Sequence, residues 1–224
     1  MTTVIIDYNS GNIHSAEKSF QRMATEVNGG TVTVSSDPEV VRKADRIVLP
    51  GVGAFADCSQ GLASYDGLFE AIEERVLSGG IPFLGICVGM QLMGTVGREH
   101  GLDTKGFDWI SGDVVEMQPD DQKLKVPHMG WNELDIQVAH PLLDGISSGD
   151  HAYFVHSYHL DPSNSAHLIA TVDYGGPVTA MLARDNLVGT QFHPEKSQKT
   201  GLRLIANFLR SEERRVGKEC RSRW

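Results

Sequence analysis

Gly85-Ile86-Cys87-Val88-Gly89 is a G-x-C-x-G string placed where an apolar run gives way to a helical pattern. It has the form of a nucleophile elbow with cysteine in place of serine. A turn this tight needs glycines beside the nucleophile, where a Cβ would clash. The following helix would point its first N–H groups and its dipole at the sulfur, which favours thiolate. Without such help a thiol of pKa about 8.5 is only a few per cent ionised at neutral pH. The N–H of Val88 would then be one donor to an oxyanion. A buried structural cysteine beside packing glycines would give the same string.

A thiol nucleophile needs a base that takes its proton and returns one to the leaving group. Gln191-Phe192-His193-Pro194-Glu195 offers one. His193 and Glu195 lie two apart at a strand end, where the carboxylate could hold the imidazole. Taken alone, this string also fits an ordinary surface loop. Leu49-Pro50-Gly51-Val52-Gly53-Ala54-Phe55 forms a glycine turn after another apolar run, and its backbone could supply a second oxyanion donor. Gly51, Gly53 and Ala56 also spell G-x-G-x-x-A. Pro50 and the position away from the first strand weigh against a dinucleotide fingerprint. No P-loop string is present. His156 and His159 are three apart in what reads as one strand, so they should face opposite sides and not share a metal. No metal and no cofactor are therefore expected.

These strings need strands and helices to carry them. Thr3–Asp7, Thr31–Ser35, Arg46–Leu49 and Ile81–Ile86 read as strands. Between and after them, Asn12–Ala24, a helix started by Asp37-Pro38, Tyr65–Leu77 and Val88–Val96 read as helices. This βα alternation predicts an α/β fold with a mostly parallel sheet flanked by helices. The second half is richer in strands: Asp113–Met117, Glu133–Val138, Ala152–Tyr158, Leu168–Val172, Val178–Ala183 and Val188–Phe192. A helix over Gln198–Leu209 closes a single domain of residues 1–209.

The whole chain of 224 residues has 20 Lys+Arg against 29 Asp+Glu, a net charge of −9. That balance excludes a general nucleic-acid binder, and no apolar run approaches the ~20 residues of a membrane span. Three cysteines make no disulfide framework, and the N-terminus lacks the features of a secretory signal. A cytoplasmic protein with reduced thiols is expected. Residues 210–224 break the pattern. Six basic residues against three acidic ones reverse the charge sign, with no apolar period. They read as a non-native tail, the in-frame translation of a sequencing adapter, rather than as a basic arm.

The oxyanion turn, the cysteine elbow and the terminal His-x-Glu occur in the order found in class I (triad) glutamine amidotransferases, and residues 1–209 resemble that family throughout. The resemblance implies a class I amidotransferase-like, flavodoxin/Rossmann-like α/β fold with extra antiparallel strands in the second half. Several strings look specifically like the glutaminase subunits of imidazole glycerol phosphate synthases. They are Ile6-Asp7-Tyr8-Asn9-Ser10-Gly11-Asn12, Pro50 to Phe55, Gly89-Met90-Gln91, Val126-Pro127-His128-Met129-Gly130-Trp131-Asn132, Tyr153 to Tyr158 and Phe192 to Ser197. Met90 stands where several sister enzymes have His, and Asn9-Ser10 depart from that group's usual small or apolar residues.

The resemblance implies that Cys87 attacks glutamine's carboxamide to form a γ-glutamyl thioester. His193 would protonate the departing ammonia and then activate water, and Glu195 would orient His193. Val88 with Gly51 and Val52 would hold the oxyanion, the latter pair after a peptide reorients. Gly53, Gln91, His156 and Ser157 would bind glutamine. Asn12, His128, Trp131, Tyr153 and Lys196 would face the partner or the ammonia exit. That partner would be a (β/α)₈-barrel cyclase subunit in a heterodimer, with no nucleic acid and no membrane involved. The competing readings are another amidotransferase subunit such as that of anthranilate synthase, a stand-alone cysteine or γ-glutamyl hydrolase, and a non-catalytic scaffold.

Overall fold

A computed structural model describes residues 1–121 and 123–211. All but Arg210 and Ser211 of the expected non-native tail lies outside the described residues. The chain runs β1 (Thr2–Ile6), α1 (Ile13–Val27), β2 (Thr31–Ser35), α2 (Pro38–Val41), β3 (Arg46–Gly51), α3 (Phe55–Ala63), α4 (Leu68–Glu73), β4 (Phe83–Cys87) and α5 (Val88–Gln91). It continues through β5 (Val96–Glu99), β6 (Leu102–Lys105), β7 (Gly112–Glu116), β8 (His128–Ile136), β9 (His151–His156) and β10 (Tyr158–Pro162). It ends with β11 (Leu168–Asp173), β12 (Pro177–Arg184), β13 (Leu187–Thr190) and α6 (Gln198–Leu209).

Nine strands form one sheet in the order β2-β1-β3-β4-β13-β12-β11-β8-β9. Pairing is parallel from β2 to β13 and antiparallel from there to β9. The parallel half is covered on both faces, so β3 and β4 are buried at every residue and read as continuous apolar runs. β8 alternates, with Met129 and Trp131 turned to solvent. The helices α1 and α6 pack together, Phe20 meeting Phe208 edge-on at 6.3 Å. Phe69, Phe83, Phe107 and Trp109 make an aromatic cluster over the start of β4. α2 begins as its residues dictate: Asp37 accepts from the Glu39 N–H, and Pro38 follows.

The α/β fold with flanking helices and antiparallel strands in the second half is as expected; the main sheet is parallel in half of its pairings, and a second sheet, β10-β7-β5-β6, stands beside it. Three expectations are corrected. The helix expected over Val88–Val96 stops at Gln91, because the segment after β6 captures its end. Phe107, Trp109 and Asp108 donate to the carbonyls of Leu92, Met93 and Gly94. The helix expected over Tyr65–Leu77 is interrupted at Gly67, whose φ of +72° restarts it at Leu68, and it ends in a π turn over Glu74–Ser78. The strand expected over Ala152–Tyr158 is two. β9 ends at His156, and β10 leaves for the second sheet to pair with β7. His156 and His159 therefore lie on different strands.

The loop after β3 and the turn after β4 lie side by side, since Gly51 pairs with Cys87 in register. This is the carboxyl edge of the parallel strands, where α/β sheets bind ligands. α5 crosses β3 so closely that a Cβ on Gly89 would sit 1.9 Å from the Leu49 carbonyl oxygen, a backbone atom that cannot yield. Gly89→Ala is therefore expected to cost about 3 kcal/mol of stability, read from urea unfolding curves. An unchanged midpoint would show that the crossing is looser than described.

Candidate active site

Cys87 is the last residue of β4 and immediately precedes α5, with φ +55° and ψ −112°. Such a backbone is rare for a residue with a Cβ and is held only where surroundings impose it. Here they do. A Cβ at Gly85 would lie 2.5 Å from the Gly89 carbonyl oxygen, so both flanking glycines are required. The turn lifts the thiol to the head of α5, 3% exposed, with Val88 as the first helical residue behind it.

His193 and Glu195 follow β13, the parallel neighbour of β4. The imidazole Nδ1 meets Glu195 Oε1 at 2.8 Å, with both side chains almost wholly buried. Burial alone would push this imidazole down. The Cys87 thiol and then the Glu195 carboxylate outweigh it and push it up to about 10. Nε2 and Glu195 Oε2 have no hydrogen-bond partner among the described residues. The turn is fixed by Ser197, whose hydroxyl donates to the His193 carbonyl at 2.7 Å and accepts from the Tyr153 N–H at 2.9 Å. A cysteine, an imidazole whose protonated form is favoured by its neighbours and a buried carboxylate together suit acyl transfer through a thioester.

The turn of Gly51, Val52 and Gly53 adjoins Cys87, and Tyr8 pins it by donating to the Pro50 carbonyl at 2.8 Å. Gly53, at φ +94°, takes a backbone that favours glycine. Val52 faces the other way from the expected oxyanion. Its N–H donates to Ser10 Oγ at 3.3 Å, and its carbonyl accepts from Ser10 Oγ at 2.8 Å and from Cys58 Sγ at 3.3 Å. The Ser10 and Cys58 side chains are themselves 3.0 Å apart. The sequence reading did not single out these two as site residues. The departure at Asn9-Ser10 was the available signal.

Gln91 is buried, with its amide nitrogen committed to the Tyr158 carbonyl at 2.9 Å and to Gln191 Oε1 at 3.1 Å. His156 Nδ1 meets that same carbonyl at 3.0 Å, so Nδ1 carries the proton there and Nε2 is the acceptor. His128 Nδ1 then donates to His156 Nε2 at 3.3 Å, and Asn132 Nδ2 donates to His128 Nε2 at 3.3 Å. His128 lies between the rings of Phe154 and Tyr174. Burial pushes it down to about 4, and burial pushes His156 down to about 3. Ser157, half-buried, lies between β9 and β10, its carbonyl accepting from the Met117 N–H.

Trp131, Tyr153 and Lys196 form one surface patch. Trp131 is 46% exposed and meets Tyr153 edge-on at 5.8 Å, while Lys196 Nζ stands 5.9 Å over the Tyr153 ring. The patch backs directly onto His193, whose N–H donates to the Tyr153 carbonyl. Asn12 is apart from it, at the start of α1 and one residue after Gly11, which packs on Pro50.

The chain matches the family model described as glutamine amidotransferase class-I over residues 4–211. It is 63% identical to the imidazole glycerol phosphate synthase subunit HisH of Cereibacter sphaeroides and 59% identical to that of Ruegeria pomeroyi. Each comparison covers 93% of this chain and 98% of the relative. Among solved structures it resembles a glutamine amidotransferase with a TM-score of 0.67 at 15% identity, covering 92% of this chain and 98% of that one. It also resembles a glutamine amidotransferase from Thermotoga maritima, with a TM-score of 0.60 at 19% identity, covering 97% and 85%.

The neutral histidine pair sets a pH dependence. An unfolded imidazole takes a proton below about pH 6.5, while these two folded ones resist it down to about 4 and 3. Their stabilisation is thus whole above 6.5 and is lost progressively as pH falls from there to about 4 and 3. His193 has the opposite sign, losing its contribution as pH rises towards 10. Between pH 6 and 4.5, each of the pair should contribute a slope of roughly 1.4 kcal/mol per pH unit. Urea unfolding of His128→Gln/His156→Gln should show a flatter acid limb than the parent. Parallel limbs would contradict the neutral pair.

Proposed function

The chain belongs to the class I glutamine amidotransferase family, and from that premise we propose that it is the ammonia-producing subunit of an imidazole glycerol phosphate synthase in histidine biosynthesis. The observation that carries the chemistry is the junction of the strained Cys87 with the buried His193–Glu195 pair. The observation that favours this member of the family is the high identity to HisH subunits along nearly the whole of both chains.

Cys87 Sγ attacks the side-chain carboxamide carbon of glutamine. The carbonyl oxygen gains the negative charge, and the Val88 N–H donates to it. The C–N bond then breaks, His193 gives its proton to the nitrogen, and ammonia leaves a γ-glutamyl thioester. Neutral His193 next takes a proton from water, which attacks the thioester. Glutamate departs and the thiol is restored. Glu195 keeps the imidazole oriented and favours its protonated form. Gly53, Ser157 and the backbone near His156 hold glutamine's polar ends, with Gln91 offering its carbonyl oxygen.

The second oxyanion donor comes from the Gly51–Val52 segment once Val52 leaves Ser10. That release is the step a partner controls. The partner is a (β/α)₈-barrel cyclase subunit in a heterodimer. It combines ammonia with a phosphoribulosyl-formimino aminoimidazole carboxamide ribonucleotide to give imidazole glycerol phosphate and aminoimidazole carboxamide ribotide. Trp131, Tyr153 and Lys196, with the exposed Met129, form the face it covers, and Asn12 and His128 lie towards the ammonia exit. Free Cys58 and Cys87 suit the cytoplasm, and we take residues 1–209 as the working unit and 210–224 as a non-native tail.

The deciding experiment measures glutamate release with and without the cyclase subunit and its ribonucleotide ligand. Strong stimulation is expected, and Cys87→Ala should remove the activity by a factor on the order of 10³ or more. Equal turnover with and without partner would favour a stand-alone hydrolase instead. A separate expectation concerns Ser10→Ala. Freed from its hydroxyl clasp, Val52 should turn more readily, raising partner-free release about fivefold and shrinking the stimulation in proportion. A partner-free rate that stays level or falls would rule out the clasp as the restraint.

A further inference from the structure

Gln191 has no assigned part in the chemistry above, yet it is wholly buried at the centre of the site. Its side-chain nitrogen stands 3.6 Å from Cys87 Sγ. An amide side chain can point its oxygen or its nitrogen at a neighbour, and the two have opposite consequences for a sulfur. Here the choice is made by a relay. The Tyr158 carbonyl can only accept, so the group of Gln91 facing it must be the amide nitrogen. That same nitrogen reaches Gln191, whose facing atom must then be the oxygen Oε1. The remaining atom of Gln191, aimed at Cys87, is therefore the NH₂ donor. Its backbone is equally fixed, the N–H of Gln191 donating to the Ala180 carbonyl at 2.9 Å. A donor to sulfur favours the form that accepts, which is the thiolate.

We propose that Gln191 is a hydrogen-bond donor to the Cys87 thiolate, with its amide orientation fixed by Gln91 on the Tyr158 carbonyl. The proposal rests on Cys87 being the nucleophile of the reaction above. It adds a second group beside the sulfur: His193 exchanges the proton, and Gln191 holds the sulfur once the proton has gone. Gln191 lies in the same Gln191-Phe192-His193-Pro194-Glu195 string that supplies the base, directly after β13 ends at Thr190.

The test is the rate of carbamidomethylation of Cys87 by iodoacetamide, read by peptide mass spectrometry on the full chain without glutamine or partner. It follows the thiolate directly and does not depend on glutaminase turnover. Gln191→Glu keeps the shape and still accepts from Gln91, but presents an oxygen to the sulfur. At pH 7 its Cys87 rate should fall about tenfold or more below the parent, and at pH 10 it should recover most of that loss. Gln91→Leu releases the anchor without touching the sulfur and should lower the pH 7 rate two- to threefold, roughly one weak hydrogen bond's worth. Cys58 labelling is the internal measure of opening and should be unchanged in both. A pH profile of Gln191→Glu that overlies the parent would overturn the proposal, and so would a loss of equal size at every pH. If Gln191→Glu does not fold, the Gln91→Leu profile decides on the same criteria. Failure of the functional reading is distinguishable. Cys87→Ala would then keep its glutamate release, whatever the labelling profile showed.

Discussion

The site depends on a single backbone crossing, where the first turn of α5 lies against the end of β3. Gly89 touches the Leu49 carbonyl there, and Gly51 leaves no room for a Cβ against the Gly89 nitrogen. That contact drives the chain through the strained conformation of Cys87 and brings the turn after β3 within reach of the sulfur. It is sustained from below by strands buried on both faces, whose apolar burial outweighs strain of about 1–3 kcal/mol at one residue. Loosening the crossing would do more than soften the fold. It would separate Cys87 from the turn after β3, whose peptide is proposed to face the oxyanion.

Polar groups behind the sulfur form a continuous directed chain. Asn132 donates to His128, His128 to His156, and His156 to the Tyr158 carbonyl, which also receives Gln91 on its way to Gln191 and Cys87. Each link has one allowed direction once the Tyr158 carbonyl is recognised as a pure acceptor. A protonated His156 would lose its acceptor nitrogen and break the chain at its middle, which is why the burial that keeps both imidazoles neutral matters. The chain starts on β8, the strand that also carries Met129 and Trp131. The surface proposed for the partner and the interior of the site therefore share one strand.

Much of this was legible in the residues. The inner parallel strands β1, β3 and β4 showed as apolar runs because both faces are buried, and the elbow showed because glycine is the only residue that fits beside Cys87. The short hairpin of β5 and β6 did not show, since Arg98, Asp103 and Lys105 are exposed and the ribbon has no apolar alternation. Its turn was nevertheless written in His100-Gly101, both at positive φ, as a two-residue hairpin requires. The premature end of α5 was invisible because carbonyls of Leu92 to Gly94 are taken by residues a dozen or more positions later in the chain. The same holds for Ser10, whose role arises from Val52 in the turn after β3, 42 positions away. Local pattern reports what a segment prefers, and these features come from what a distant segment takes from it.

On the proposed reading, the Ser10 clasp lets one chain hold Cys87, His193 and Glu195 in place while the turn beside them is restrained. Cys87, His193 and Glu195 sit on the rigid carboxyl edge of the parallel sheet, so nothing about them needs to move. Val52 sits on an exposed turn between two glycines, one of them at positive φ, where a peptide can rotate at little cost. Its present orientation is held by hydrogen bonds to Ser10 and Cys58, each worth about 1 kcal/mol net. A donor aimed at the oxyanion is worth about 3–4 kcal/mol in the transition state. The two are of similar size, so the hydrogen bonds at Ser10 and Cys58 are enough to offset the gain from the second oxyanion donor proposed above. A much stronger restraint would oppose the proposed rotation of Val52, and a much weaker one would not hold the turn as it stands.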